Sequence, residues 1–254
     1  MDLQLQDRVY VVTGASRGLG LATAAALVDE GARVLMCARD EDSLHDAAEG
    51  LGAGDHAMAV PGDLTDERLG SRLVAAAVGR WGRLDGALIS VGGPPAGTAL
   101  DLDDDAWRAA FESVFLGAVR LARAVTSTIG EGGGSLAFVL SSSVKGPVAG
   151  LAASNGLRPG LAMLAKTMAD ELGPKNIRVN GLLPGRIDTD RVRQLDGEGA
   201  KGRRSKAANE ATIPLGRYGE PAEFGRVAAF LLSPASSYLT GVMLPVDGGL
   251  QRSL

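Results

Sequence analysis

Short, wholly apolar runs alternate along this chain with longer stretches in which apolar positions recur every three or four residues. The first run, "RVYVV" at 8–12, combines Tyr10 with β-branched valines and reads as a buried strand. "LGLATAAALVDEG" at 19–31 follows, with Leu19, Ala22, Ala26 and Leu27 on one helical face and Gly31 suited to the stop. Further strands are expected at "RVLMCA" (33–38), "AMAV" (57–60), "GALIS" (86–90), "SLAFVLS" (135–141), "IRVNGLL" (177–183) and "VMLPV" (242–246). Helices are expected near 40–51, 66–80, 103–128, 158–173 and 221–232. Seven strands alternating with helices predict an α/β fold, a doubly wound parallel sheet with helices on both faces. No repeat, low-complexity tract or linker divides the chain, so one domain over 1–254 is expected. The polar stretch at 190–212 reads as irregular, a lid-like excursion over about 189–212.

Composition narrows the classes. A net charge of −4 argues against a general nucleic-acid binder. The single cysteine, Cys37, excludes an intramolecular disulfide, and its apolar run makes it a small buried hydrophobe. With only two histidines besides, no His/Cys metal cluster is expected. No apolar run is long enough for a membrane span, and the N-terminus lacks the layout of a secretion signal. A cytoplasmic protein with no membrane partner is the default expectation.

Candidate chemistry begins at "TGASRGLG" (13–20), directly between the first strand and the first helix. There Gly14 permits a sharp turn, Gly18 a close backbone approach to a pyrophosphate, and Gly20 tight helix–sheet packing. Ser16, Arg17 and Leu19 complete the loop and the helix opening, whose unpaired N–H groups favour phosphate. This makes the fold Rossmann-type. At the end of the second strand, "LMCARD" places Ala38 where an NAD site wants a carboxylate, followed by Arg39. Arg17 and Arg39 together suit a ribose 2′-phosphate, which favours NADP (as NADPH) over NAD. Two alternatives stand beside this: Arg39 as a solvated charge, and Asp40 as the ribose acid.

With "GDL" (62–64), "LPG" (183–185), "YLTG" (238–241) and "VDGG" (246–249) added, nearly the whole chain resembles the short-chain dehydrogenase/reductase family. Its look is that of the 3-oxoacyl-[acyl-carrier-protein] reductase-like branch. The resemblance implies that Asp63 and Leu64 contact the adenine. It puts Ser90, Val91 and Gly92 of "SVGG" beside the cofactor ribose, without the family's leading amides. It puts Pro184, Gly185, Ile187 and Thr189 at the nicotinamide, and makes Asn180 a structural amide. It also implies a small-molecule substrate and a homodimer or homotetramer, for which Phe224, Ala228, Phe230 and Leu231 offer apolar surface unless the core absorbs them.

The family's catalytic set is Asn, Ser, Tyr and Lys. Ser141 matches the serine, while the other three places hold Val114, Ser154 and Arg158. Serine is a far weaker acid than tyrosine, and Arg158 supplies charge without giving up a proton near neutrality. Tyr10, Tyr218 and Tyr238 all fall elsewhere, Tyr218 being the least remote. Gly156, Pro159 and Gly160 in "SNGLRPG" predict a helix that starts only near Arg158–Pro159, with 152–157 irregular. "KGRRSK" (201–206) is a basic cluster, read as a solvated face rather than a carrier-protein dock. Two functions fit. One is an NADP-dependent carbonyl reductase of 3-oxoacyl type with altered acid–base groups, in which Ser141, Ser154 and Arg158 are the catalytic candidates. The other is an NADP-binding protein without redox turnover.

Overall fold

Successive side chains of a strand point to opposite faces, and here both faces of every central strand are apolar. The computed structural model describes residues 1–52 and 54–253, so Ala53 and Leu254 of the expected 1–254 domain lie outside the described residues. The strands are β1 (Val9–Thr13), β2 (Arg33–Cys37), β3 (Ala57–Ala59), β4 (Gly86–Ser90), β5 (Gly134–Val139), β6 (Ile177–Pro184) and β7 (Met243–Val246). All pair in parallel, in the order β3-β2-β1-β4-β5-β6-β7. The helices are α1 (Gly18–Asp29), α2 (Glu41–Gly50), α3 (Leu69–Trp81), α4 (Asp104–Ala110) and α5 (Gly117–Thr126). After them come α6 (Ala152–Leu172), α7 (Asp190–Asp196), α8 (Gly199–Glu210) and α9 (Pro221–Leu232). The expected doubly wound, Rossmann-type sheet is therefore the fold.

On one face Val9, Val11, Leu35, Ile89 and Phe138 pack with Leu73 of α3, Leu121 of α5 and Leu161 of α6. On the other, Tyr10, Val12, Met36 and Leu88 pack with Leu27 of α1, Leu44 of α2 and Phe224 of α9. Phe224, Ala228 and Leu231 are thus spent on the core, and only Phe230 of the α9 surface set is half-exposed. Helices α1 and α9 touch at Gly225, where a Cβ would fall 2.3 Å from the Ala22 carbonyl oxygen. Backbone meets backbone there, with no side chain to swing aside. Gly225→Ala is expected to destabilise the protein by about 1–3 kcal/mol, read as a lower denaturant midpoint. An unchanged midpoint would mean that the two helices separate freely.

Three expectations need correction. The long helix at 103–128 is interrupted: a π-helical turn at Phe111–Leu116 separates α4 from α5. Helix α6 begins at Ala152, so 152–157 is regular helix and the late start at Arg158–Pro159 is wrong. Tertiary contacts override the local breakers. Asn155 pins the helix start by accepting from Val148 N at 3.0 Å and donating to Val148 O at 2.9 Å. Ala152 N donates to Gly97 O at 3.1 Å. Gly156 faces the Trp107 ring, which a Cβ would approach to 3.2 Å, so this glycine admits a neighbouring ring.

The third correction concerns 190–212, which carries α7 and α8 instead of irregular chain. Those helices lack an apolar stripe because a polar knot holds them. Buried Asp196 accepts from Tyr218 Oη at 2.8 Å, Arg186 Nη1 at 2.9 Å and Asn209 Nδ2 at 3.1 Å. Tyr218 is therefore an anchor of the 190–212 segment. Within "KGRRSK", Lys206 pairs with Asp188 at 3.2 Å. No helix among the described residues is long and apolar enough to cross a membrane.

Candidate active site

Strands β1 and β4 are neighbours whose following connections run to opposite sides of the sheet, so a crevice opens beyond their carboxyl ends. Thr13 ties the two ends together: its Oγ1 donates to Ser90 O and accepts from Ser90 N, each at 2.9 Å. Gly14 then turns with φ +62° and Gly18 with φ +58°. A Cβ on Gly20 would sit 2.2 Å from the Gly14 carbonyl oxygen, so only glycine lets α1 start this close to β1. The N-terminus of α1 has no side-chain cap and no acidic residue in its first turn. Its first N–H groups have no partner within the helix and its positive dipole end lies at the crevice, alongside Ser16 and Arg17. Leu19 turns its side chain into the core of that face.

The corner beyond β2 brings together two arginines and two aspartates. Arg39 is 78% exposed and its Nη1 lies 4.0 Å from Asp63 Oδ2, a weak surface pairing. Asp63 Oδ1 accepts from Thr65 N and Thr65 Oγ1, each at 2.9 Å. Asp40 is occupied as the N-cap of α2, accepting from Ser43 N at 2.9 Å. Its pKa is held low by Ser43 first and by the Arg17 charge as a smaller contribution. Arg17 therefore stands on the same corner as Arg39. Leu64 presses its main chain on α5 at Gly117, where a Cβ would meet Leu64 O at 2.4 Å.

The opposite wall comes from β4 and β6. Val91 is buried in the core, and Gly92 has open space where a Cβ would be. After Pro184, Gly185 passes Asp247 so closely that a Cβ would lie 2.6 Å from the Asp247 Cβ. Ile187 is buried, and Asp188 N donates to Gly219 O at 2.8 Å. Thr189 caps α7 and brings its Cγ2 to 3.4 Å from the place of a Gly18 Cβ, so the two walls meet across the glycine loop. Asn180 bridges β6 to the turn before β7, donating to Leu239 O and accepting from Val242 N.

The catalytic candidates gather at the end of β5. Ser141 caps a short 3₁₀ turn, its Oγ accepting from Ser143 N at 3.1 Å. Ser154 is 4% exposed, and its Oγ lies 3.2 Å from the hydroxyl of Ser143. Arg158 is 6% exposed, and its Nη1 donates to Val139 O and Leu140 O at 2.8 Å each. Burial first, and the like charge of Arg191 second, push this guanidinium down to about 10, so it remains a cation at neutral pH. Val114 is a core residue of the π-helical turn. The thiol of Cys37 is pushed up to about 12 by burial and offers no thiolate.

Two participants escaped the sequence reading. Ser143 is hidden in a run of three serines that looks uniform. Arg191 sits among Arg186 and Arg193, and only the fold shows that it crosses to the β4 loop, where Nη2 donates to Pro94 O at 2.9 Å.

A family model described as enoyl-(acyl carrier protein) reductase matches residues 14–251. The L-rhamnose 1-dehydrogenase (NAD(P)(+)) of Azotobacter vinelandii is 34% identical over 253 residues, covering 97% of this chain and 97% of its own. The rhamnolipids biosynthesis 3-oxoacyl-[acyl-carrier-protein] reductase of Pseudomonas aeruginosa is 33% identical over 264 residues, covering 96% of each. The crystal structure of the L-sorbose reductase from Gluconobacter frateurii, complexed with NADPH and L-sorbose, matches with a TM-score of 0.94. Its identity is 29%, with 100% of both chains covered.

Proposed function

The chain belongs to the short-chain dehydrogenase/reductase family, and from that premise we propose that it is an NADP-dependent carbonyl reductase of 3-oxoacyl type, working without the family's Tyr and Lys. One observation carries the coenzyme assignment. The uncapped start of α1 opens into the crevice, with two guanidiniums at its ribose corner and Asp40 already spent as a cap. A dinucleotide fits these residues. The backbone of Gly14–Gly20 would hold the pyrophosphate, and Arg17 and Arg39 the 2′-phosphate. Asp63 and Leu64 would border the adenine, Ser90–Gly92 the ribose, and Pro184, Gly185, Ile187 and Thr189 the nicotinamide. The NADPH-bound sorbose reductase supports the same coenzyme. When bound, it supplies a hydride.

The chain's own groups manage the oxygen. As the carbonyl carbon gains the hydride, its oxygen becomes an alkoxide and takes one proton. Ser141 donates a hydrogen bond to that oxygen, and Arg158 stabilises its charge from beneath the strand end. Ser154 is enclosed with its hydroxyl against Ser143, which makes it a positioning residue here; the proton comes from water. Assembly as a homodimer or homotetramer belongs to the same proposal. Exposed Phe111 and Met163 supply apolar surface for it, and size-exclusion chromatography checks it.

Calorimetric titration with NADPH and NADH tests the coenzyme, and NADPH oxidation with 3-oxoacyl thioesters and simple ketones tests the reaction. Tight NADPH binding with no turnover on any carbonyl would replace this function with a non-redox nucleotide-binding role. Arg39→Gln is expected to weaken NADPH binding by about ten-fold and leave NADH unchanged, as for loss of one charge-assisted phosphate contact. Equal effects on both coenzymes would remove Arg39 from the 2′-phosphate site.

A further inference from the structure

Three consecutive serines, Ser141, Ser142 and Ser143, follow β5, and each is held by a different contact. Ser141 Oγ accepts from Ser143 N at 3.1 Å. That bond uses one lone pair of the Ser141 hydroxyl and leaves its proton, which meets no acceptor among the described residues. Ser143 is 4% exposed and turns its own hydroxyl to α6: Oγ lies 3.2 Å from Ser154 Oγ and 3.5 Å from Ser154 O. Both protons of this pair find acceptors when Ser154 donates to Ser143 Oγ and Ser143 donates to Ser154 O. Of the hydroxyls of Ser141, Ser143 and Ser154, only that of Ser141 then keeps a proton for a substrate oxygen.

The middle serine is held from the segment after β7. Gln251 Nε2 donates to Ser142 O at 3.2 Å, a contact across 109 positions. The segment that carries Gln251 is itself fixed. Asp247, the first residue after β7, accepts from Gly249 N at 2.9 Å and from Gln251 N at 2.8 Å. Gly185 N at the end of β6 donates to Val246 O at 3.0 Å, and Leu215 N, beyond α8, donates to Gly248 O at 3.2 Å. Gln251 is thus aimed by a turn that rests on two strand ends and on the chain leaving α8. The turn it reaches is short. Residues 142–144 form a single 3₁₀ turn, closed by Val144 N on Ser141 O at 3.1 Å and Lys145 N on Ser142 O at 3.0 Å. So short a turn has poor bond geometry and little stiffness of its own. Its placement depends on the two outside contacts, α6 on one side and Gln251 on the other.

We propose that Ser143 and Gln251 are positioning residues for the hydroxyl of Ser141, Ser143 tying its turn to α6 and Gln251 tying it to the segment after β7. Neither touches the reacting atoms. The inference rests on the carbonyl-reductase function proposed above, in which Ser141 donates to the substrate oxygen, and adds the two residues that hold this donor in place. A donor aimed beforehand stabilises a developing oxyanion because nothing reorganises during the reaction. A displacement of about 1 Å is enough to lose much of that effect.

The test is a pair of double-mutant cycles in the full chain, read as steady-state NADPH oxidation with the most active of the 3-oxoacyl thioesters and simple ketones. Ser143→Ala and Gln251→Ala are each made in the wild type and in Ser141→Ala. Each is expected to lower kcat about ten-fold in the wild type and less than about two-fold in Ser141→Ala, because a brace for an absent hydroxyl has nothing left to hold. NADPH affinity, measured by calorimetry, should not move in any of them. Gln251→Glu keeps the size of the side chain and turns an acceptor toward Ser142 O, so its loss should match or exceed that of Gln251→Ala. Gln251 is half-buried, so its cycle stays readable if Ser143→Ala folds poorly. Each residue stands or falls by its own cycle. Equal losses in both backgrounds would reveal a merely structural role and overturn the assignment, leaving the reductase standing. Unchanged kcat in the single variant would overturn it as well. No turnover by the wild type on any carbonyl would remove the reductase and the positioning role with it.

Discussion

Gly20→Ala is expected to weaken NADPH binding on the order of 10²-fold, because it moves the loop that the pyrophosphate needs. A Cβ there would lie 2.2 Å from Gly14 O, 2.6 Å from Gly14 C and 3.0 Å from Thr13 O. All three are backbone atoms, so no rotamer relieves the contact. Either α1 withdraws from the sheet or the turn at Gly14 opens. Both outcomes redirect the free N–H groups at the start of α1, and the same displacement should destabilise the protein by about 1–3 kcal/mol. Gly79→Ala on α3 is the control, since a Cβ there meets nothing within 4 Å. It should leave coenzyme binding alone and raise stability by up to about 1 kcal/mol through helix propensity. Wild-type NADPH affinity in Gly20→Ala, measured by calorimetry, would mean that the glycine loop is not where the coenzyme binds.

Ser141→Ala is expected to lower kcat by about 10²–10³-fold, the usual loss when one donor to a developing oxyanion is removed. NADPH affinity should be unchanged, because Ser141 lies at the end of β5 and the proposed phosphate donors at the start of α1. The substitution also leaves Ser143 N without its acceptor at 3.1 Å, a small local loss. Ser141→Thr separates the two effects. It keeps a hydroxyl at the position and should recover much of the rate. Full activity in Ser141→Ala, measured as steady-state NADPH oxidation, would leave Arg158 and water as the groups that handle the oxygen. With Ser154 at the place where the family has its tyrosine, no phenol there is expected in the pH–rate profile, and Arg158 stays charged until pH nears about 10.

The glycine loop, the missing acid after β2 and the place of Ser141 were all legible from the chain. Each depends on residues a few positions apart, and the backbone itself does the work. The distinction between Arg39 and Asp40 needed the structure. Both are charged residues at a strand end, and only the cap on Ser43 shows that Asp40 is engaged elsewhere. Ser154 and Arg158 were singled out from the chain, yet their environments were not readable. Nothing local states that one faces Ser143 and that the other is buried against the carbonyls of Val139 and Leu140.

The chain by itself determined the α/β class, because buried parallel strands need unbroken apolar runs and the helices between them need one apolar face. It also determined the sharp turn after β1, since glycine adopts the left-handed φ of +62° at Gly14 and +58° at Gly18 at no steric cost. Tertiary structure decided where α6 begins, because the Gly156–Trp107 packing and the Asn155–Val148 bonds outweigh the local effect of Pro159. It decided that 190–212 is helical, through a polar knot on Asp196 that no hydrophobic period announces. It also set Arg191 across the crevice from its own helix to Pro94, a contact between residues 97 positions apart. Such contacts depend on which elements the sheet order brings together, and that order is settled only when the whole chain has packed.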